Sequence, residues 1–396
     1  MDWKPRAAAL ADAVVHPASR WHQPLADVPR HLFVPNWWGY RPGSGWTLSG
    51  GAAEPGRWAD AVYADRTLVT RVGPLHADHA TEADHPEGAP TSSSTLPSLV
   101  VTMYRHAMIT DGTDVLCVTG TGYGTALLSR RIGDRRVTSI DIDPHLVDTA
   151  RGRLDLIGAR PLVRVADITG PLPGTFDRIV STVGLPGVPP HWLSSLRGGG
   201  RLVTNLAATG LVITADKTSD GGARGCVTWE PAGFMATRTG RDYPAPAGTR
   251  HAWTDDADDV TTGRHPVVPV ARTWELLTCL ALAAPGVQHS YSEDRDGVRT
   301  AVMVHPDGSW ARATGCRGKR PTVHQSGPRR LWDTLDAIRH DWLSDGSLPV
   351  YGATVTIDPD ATLHLTRGTW RTTIPAAASP TGPNTGVGND TVHIAT

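Results

Sequence analysis

The chain has 396 residues, 39% of them hydrophobic and 19% charged, which is enough apolar material for two modest domains with their own cores. A formal net charge of −1 argues against nucleic acid or an acidic membrane surface as partner, and no apolar run approaches the length of a membrane span. Cys117, Cys226, Cys279 and Cys316 lie far apart without a CxxC pair, the pattern of reduced thiols and not of a disulfide frame or a cysteine zinc site.

In chain order, "MDWKPRAAALADAVVHPASRW" lacks the apolar core of a secretion signal, so a cytoplasmic protein is expected. Residues 1–110 read as an irregular, mostly helical lead-in broken by Pro and Gly. Trp37 and Trp38 within it suit a peptide groove, although core plugs are the plainer reading. "HADHATEADH" (76–85) offers His76, His79 and His85 with Asp78 and Asp84. Their spacing fits no standard helical ligand pair, so a solvated loop and no metal are expected, with a place over a peptide site as the second possibility. "PTSSSTLPSLVVTMYRHAM" (90–108) starts polar and becomes periodic. Leu99, Met103 and Ala107 share one helical face, and Pro97 suits the first turn.

From 114 to about 205, short apolar runs alternate with helical patterns, which predicts a parallel sheet wrapped by helices. Residues 211–238 read as an antiparallel hairpin ending that sheet, and 241–265 as a linker. Beyond it, "ARTWELLTCLALAA" predicts a helix and "VRTAVMVHPDGSWARAT" a hairpin turning at Pro306, Asp307 and Gly308. In "PRRLWDTLDAIRHDWL", Leu331, Leu335, Ile338 and Trp342 form one helical stripe. "YGATVTI" and "TLHLTRGTW" alternate like half-buried strands. The division expected is therefore a lead-in (1–110), an α/β core (111–245), a smaller α+β C-terminal domain (246–374) and a disordered tail (375–396).

The chemistry is concentrated in "VLCVTGTGYG" (115–124). A Walker loop needs Lys and then Ser or Thr after its last glycine, but Gly124 is followed by Thr125 and Ala126. The dinucleotide pattern G-x-G-x-x-G fails as well, because its third glycine would fall on Thr125 or Leu127. What remains is G-x-G-x-G after a first strand, with an acid ending the next. "RVTSIDID" supplies Asp141, whose carboxylate can accept both ribose hydroxyls, and "RVADI" supplies Asp167 beside the place of an adenine. Together they describe an S-adenosylmethionine site at the carboxyl ends of parallel strands. The expected cofactor set is Thr119, Gly120, Thr121, Gly122, Tyr123, Asp141, Ile142, Asp167 and Ile168. Tyr123 has two readings, packing beside the cofactor or packing at the helix start.

With these pieces aligned, residues 25–240 resemble the protein-L-isoaspartate O-methyltransferases. "VPRHLFVP" (28–35), "AVYADRTLVTRVG" (61–73), "SSSTLPSLVVTM" (92–103) and "FDRIVSTVGLPGVPPHWLSSLRGGGRLV" (176–203) carry the resemblance. It implies a Rossmann-like, S-adenosylmethionine-dependent methyltransferase sheet with a terminal antiparallel hairpin. By position relative to Pro97 and Met103, the family's active-site serine falls on Thr95, with Ser94 and Ser93 beside it. The chain departs from the family in a glycine loop about one residue shorter, in Cys117 where an acid commonly precedes that loop, and in Ile168 where glycine often follows the third acid. The appended C-terminal unit is the largest departure.

The resemblance implies carboxyl methylation of an aspartate or isoaspartate in a peptide or protein. The extension and the Ser-Ser-Ser-Thr segment resemble the subgroup that matures ribosomally made graspetides and lanthipeptides, where the ester leads to aspartimide or isoaspartate. General repair of L-isoaspartyl proteins and an inactive peptide-binding descendant are the alternatives. A carboxylate is already a nucleophile at neutral pH, so no catalytic base is needed, and Thr95, Ser94 and Ser93 suit the role of hydroxyl donors. Their bland reading is a polar cap before the helix opened by Pro97. The sequence leaves the oligomeric state open.

Overall fold

The structure, a computed structural model, describes residues 2–51, 55–238 and 257–378. The lead-in is not mostly helical. Helices α1 (Lys4–Val14), α2 (His22–Asp27) and α3 (Arg30–Phe33) precede the hairpin β1 (Asn36–Arg41) and β2 (Gly45–Gly50). Helix α4 (Pro55–Val62) then leads to β3 (Leu68–Val72), β4 (Leu75–His76) and β5 (Pro90–Ser94). These strands form one small sheet in the order β2-β1-β3-β4, with β5 also on β3. In β1 the period of two sends Trp37 into the main core and Trp38 into a smaller cluster with Val72 and Ala77. Both tryptophans are core plugs.

Helix α5 (Pro97–His106) begins as Pro97 predicts, and the alternating unit follows: β6 (Val115–Val118), α6 (Tyr123–Ile132), β7 (Val137–Asp141), α7 (Pro144–Leu156), β8 (Leu162–Val165), β9 (Phe176–Leu185), α8 (Pro190–Ser195) and β10 (Leu196–Leu206). Strands β8, β7, β6, β9 and β10 run parallel in that order. The hairpin β11 (Val212–Lys217) and β12 (Ala223–Val227) continues the sheet antiparallel.

The hairpin does not end the sheet. After β13 (Asp259–Thr262), α9 (Trp274–Ala283), β14 (Gln288–Glu293), β15 (Val298–Val304), β16 (Trp310–Cys316), β17 (Thr322–Ser326) and α10 (Leu331–Ser344), the chain returns as β18 (Thr354–Ile357), β19 (Leu363–Arg367) and β20 (Trp370–Ile374). Strand β18 pairs with β12, so one sheet runs β20-β19-β18-β12-β11-β10-β9-β6-β7-β8. The expected C-terminal domain of 246–374 therefore loses its last strands to the core. Without them β12 would be an open edge, and Val355, Ile357, Leu363 and Leu365 are all buried in the cluster beneath that sheet.

What stands apart is the sheet β13-β17-β16-β15-β14, packed with α9 and α10 around Leu280, Met303, Leu331, Trp332 and Leu335. The His305–Ser309 turn joins β15 to β16 as expected, with Gly308 at φ 89°. Most of the expected linker lies outside the described residues, but Asp259–Thr262 is a strand on β17. Of the expected disordered tail, only 375–378 are described. Ala377 N donates to Val188 O at 3.1 Å, which ties that segment to the loop after β9. Among the described residues no helix is long and apolar enough to cross a membrane.

Candidate functional site

The glycine loop links β6 to α6. Thr119 N donates to Ile140 O at 2.9 Å, and Gly122 N closes the turn onto Thr119 O at 2.8 Å. Gly120 and Gly122 have φ of 50° and 91°, where a side chain is strained. The glycines serve different ends. A Cβ on Gly122 would lie 3.0 Å from Ala150 Cβ, and one on Gly124 would lie 2.6 Å from the Tyr104 hydroxyl. These two let α6 pack closely, whereas Gly120 faces the Ser93 carbonyl 3.8 Å from the same test position. Below the loop, Ser139 Oγ meets Thr119 Oγ1 at 2.6 Å and Thr125 Oγ1 at 2.9 Å. Cys117 lies in this buried layer, and burial pushes its thiol up to about 11, which makes it a packing group.

Asp141 ends β7 against the loop. Its Oδ2 accepts from Gly120 N at 3.0 Å and its Oδ1 from Asp143 N at 3.1 Å. Burial raises its pKa to about 6, although both amides favour the anion. Asp143 is held by a close ion pair with Arg71, and Arg238 lies 3.6 Å from it. At the next strand end, Asp167 Oδ1 accepts from Thr169 N at 2.8 Å and Thr169 Oγ1 at 2.7 Å. The buried Trp192 indole donates to Ile168 O at 2.8 Å and fixes that turn from below.

These strand ends surround one cavity of about 240 Å³. Thr119, Gly120, Thr121, Tyr123, Asp141, Ile142, Asp167 and Ile168 line it, as do Ser93, Ser94 and Thr95. Of the residues singled out in the sequence, Gly122 alone is not in its wall, because its place is against α7. Ile142 is 38% exposed, an apolar side chain in the cavity wall. Tyr123 lines the wall and also packs against Phe33, with the Arg30 guanidinium 5.5 Å from its ring centre. The helix-start packing of Tyr123 is thus present, and its ring also borders the cavity.

The hydroxyl segment comes from the small sheet. Ser93 and Ser94 sit on β5, opposite Val69 and Leu68 of β3. The capping reading fails, because the N-cap of α5 is Leu96 and no side chain caps it in the usual way. Instead, Leu96 N donates to Thr67 Oγ1 at 3.1 Å and Ser98 N to Asp65 Oδ1 at 2.8 Å. Amides that need partners at a helix start are thus met from another segment, and Thr95 is not consumed as a cap.

The chain reading missed two parts of the site. Arg30, fully buried, donates to the carbonyls of Val62 (2.9 Å), Ala64 (2.8 Å) and Arg66 (2.8 Å), and to those of Ser94 (3.4 Å) and Thr95 (3.3 Å). It binds the hydroxyl segment to the turn after α4. Residues 233–238 form the other wall, where Gly184 N donates to Met235 O at 2.8 Å and Thr237 N to Gly184 O at 2.9 Å. No periodicity marks that stretch. The basic arginine within "VPRHLFVP" was the available signal for Arg30.

Residues 79–225 match the family model for protein-L-isoaspartate (D-aspartate) O-methyltransferase. Protein-L-isoaspartate O-methyltransferase 1 of Anaeromyxobacter sp. (strain Fw109-5) is 38% identical over 135 residues, 32% of this chain and 62% of that protein. The enzyme of Anaeromyxobacter dehalogenans (strain 2CP-C) is 37% identical over 139 residues, 34% of this chain and 66% of its own length. The chain thus spans somewhat less than two thirds of these relatives. A solved structure described as a protein-L-isoaspartate O-methyltransferase covers 92% of this chain and 99% of its own, at 17% identity and TM-score 0.50. The fold is accordingly that of this solved structure, a Rossmann-like α/β sheet continued by antiparallel strands, with a second five-stranded sheet in the C-terminal part. That likeness extends over most of the C-terminal unit, so the unit does not set this chain apart from that one solved structure.

Proposed function

We propose that the chain is an S-adenosylmethionine-dependent carboxyl O-methyltransferase acting on aspartyl or isoaspartyl carboxylates, a reading that rests on the relation of residues 79–225 to the protein-L-isoaspartate O-methyltransferases. The single observation carrying it is the joint lining of one cavity by Gly120, Asp141 and Asp167 with Ser93, Ser94 and Thr95. The donor set fits the cofactor. In this reading Asp141 accepts ribose hydroxyls, Asp167 accepts from the base, and Ile142 and Ile168 contact its faces. Once bound, the cofactor supplies an electrophilic sulfonium methyl group.

The protein's own task is alignment. The substrate carboxylate is the nucleophile, and Thr95 with Ser93 donates to one of its oxygens, leaving the other free to react. Hydroxyls suit this better than a cation, which would stabilise the ground-state charge that the reaction consumes. Ser94 is turned toward Arg30 Nη2 at 3.4 Å and has the weaker claim to substrate. Esterification makes the carbonyl open to attack by the following backbone nitrogen, which closes an aspartimide with loss of methanol.

Maturation of a cyclised, ribosomally made peptide and repair of isoaspartyl proteins use this same chemistry. The Ser-Ser-Ser-Thr segment supports the first, and the family match supports the second. Incubating the chain with methyl-labelled S-adenosylmethionine separates them. A base-labile ester on an isoaspartyl peptide indicates repair. A gain of 14 Da or a loss of 18 Da confined to a cyclised precursor indicates maturation.

A further inference from the structure

Beside the cavity, but outside its walls, side chains from distant parts of the chain converge. His76 ends β4, Asp78 and His79 lie in the 3-10 turn Ala77–His79, and His145 lies in the first turn of α7. His76, Asp78 and His145 each offer a ligand atom, and the three atoms lie within 4.8 Å of one another. His79 Nε2 is 3.4 Å from His145 Nδ1, on the exposed side of the cluster.

The cluster is polar, partly buried and incompletely bonded. His76 is only 4% exposed, and its Nε2 has no hydrogen-bond partner. His145 Nε2 and Asp78 Oδ1 are likewise buried without partners. Orphans of this kind are costly, and buried polar atoms are nearly always paired. Three of them in one place call for a shared partner. Asp78 Oδ2 accepts from Arg153 Nη2 at 2.6 Å, which orients the carboxylate and leaves Oδ1 over, as an outer partner orients a metal ligand.

We propose that His76, Asp78 and His145 bind a divalent transition-metal ion, with the fourth position left to water at the solvent edge. Imidazoles with one carboxylate suit zinc best. Calcium and magnesium take oxygen donors, and no cysteine lies in this set. Ligands about 2.0–2.2 Å from a tetrahedral zinc lie about 3.3–3.6 Å apart, so side-chain movements of roughly 1 Å close the site. The ion has a structural role. It fastens the small sheet, which carries the hydroxyl segment, to the start of α7, directly after Asp141 and Asp143. The Arg71–Asp143 ion pair crosses the same junction.

The test is titration of the EDTA-treated full chain with Co²⁺ alone, followed by visible d–d absorption and by displacement with Zn²⁺. One equivalent is expected to bind and to raise the melting temperature. His145→Ala and Asp78→Asn should each weaken binding by at least about tenfold, since even outer-shell changes cost that much, while His85→Ala should leave it unchanged. A parent chain that develops no cobalt absorption overturns the proposal whatever the variants do. So does a His76→Ala/His145→Ala protein that folds and binds cobalt as the parent does.

Discussion

Arg30 Nη2 lies 3.3 Å from the carbonyl oxygen of Thr95, across 65 residues of sequence, with the side chain fully buried. Burial lowers its pKa to about 10, so it remains charged at neutral pH. A fixed, planar fork is needed to reach carbonyls on both sides at once, and an ammonium cannot copy it. Arg30→Lys should therefore lower methyl transfer by about tenfold or more while cofactor affinity stays within about twofold. Chemical unfolding should show a loss of about 2–4 kcal/mol, because buried carbonyls are left unpaired. Equal loss of cofactor affinity would contradict this positioning role.

Asp141 gives the site a pH dependence of definite sign. Ribose hydroxyls need the carboxylate form, and burial has raised the free group to about 6. Affinity should be flat above that pH and fall below it by up to about tenfold per unit. Without ligand, the folded state holds a proton between about pH 4 and 6 that the unfolded chain has released, so stability falls as pH rises through 6. The rise in melting temperature caused by S-adenosyl-L-homocysteine should thus be larger at pH 7 than at pH 5. An equal rise at both would speak against Asp141 as the ribose acceptor.

Thr95 lines the cavity without capping α5. Thr95→Val should slow transfer by about 10–100-fold with little change in cofactor binding, and Thr95→Ser should restore most of it. Steady-state kinetics on an ester-forming peptide would decide the matter. A Thr95→Val protein as fast as the parent removes the hydroxyl clamp.

Gly124 and Tyr104 are coupled by the 2.6 Å that a new Cβ would leave to the phenol oxygen. Gly124→Ala alone should destabilise the chain by about 1–3 kcal/mol. Adding Tyr104→Phe should recover about half or more of that, giving a non-additive cycle in denaturant melts. Strict additivity would mean that the loop relieves the clash by moving instead.

Local pattern made the parallel core legible. The runs "DVLCV", "RVTSIDI" and "PLVRVAD" became β6, β7 and β8, and Asp141 at the end of β7 and Asp167 just after β8 mark the cavity because topology sends parallel strand ends to one edge. What stayed hidden depends on contacts between distant residues. "NWWGYR" carries a strand signal, but its partners are β2 and β3. "TVTI" reads as a strand whichever sheet it joins, and only tertiary pairing sends it to β12. Likewise, "HADH" has no ligand spacing of its own, because the third member of its cluster is His145 on α7.

Calorimetric titration of the purified chain with S-adenosyl-L-homocysteine at pH 7.5, beside the Asp141→Ala protein, probes the nucleoside site most directly. One site of micromolar affinity in the parent, lost in a variant that still folds, is the expected result. No binding by the parent, or unchanged binding by the variant, would contradict a nucleoside held between Gly120, Asp141 and Asp167.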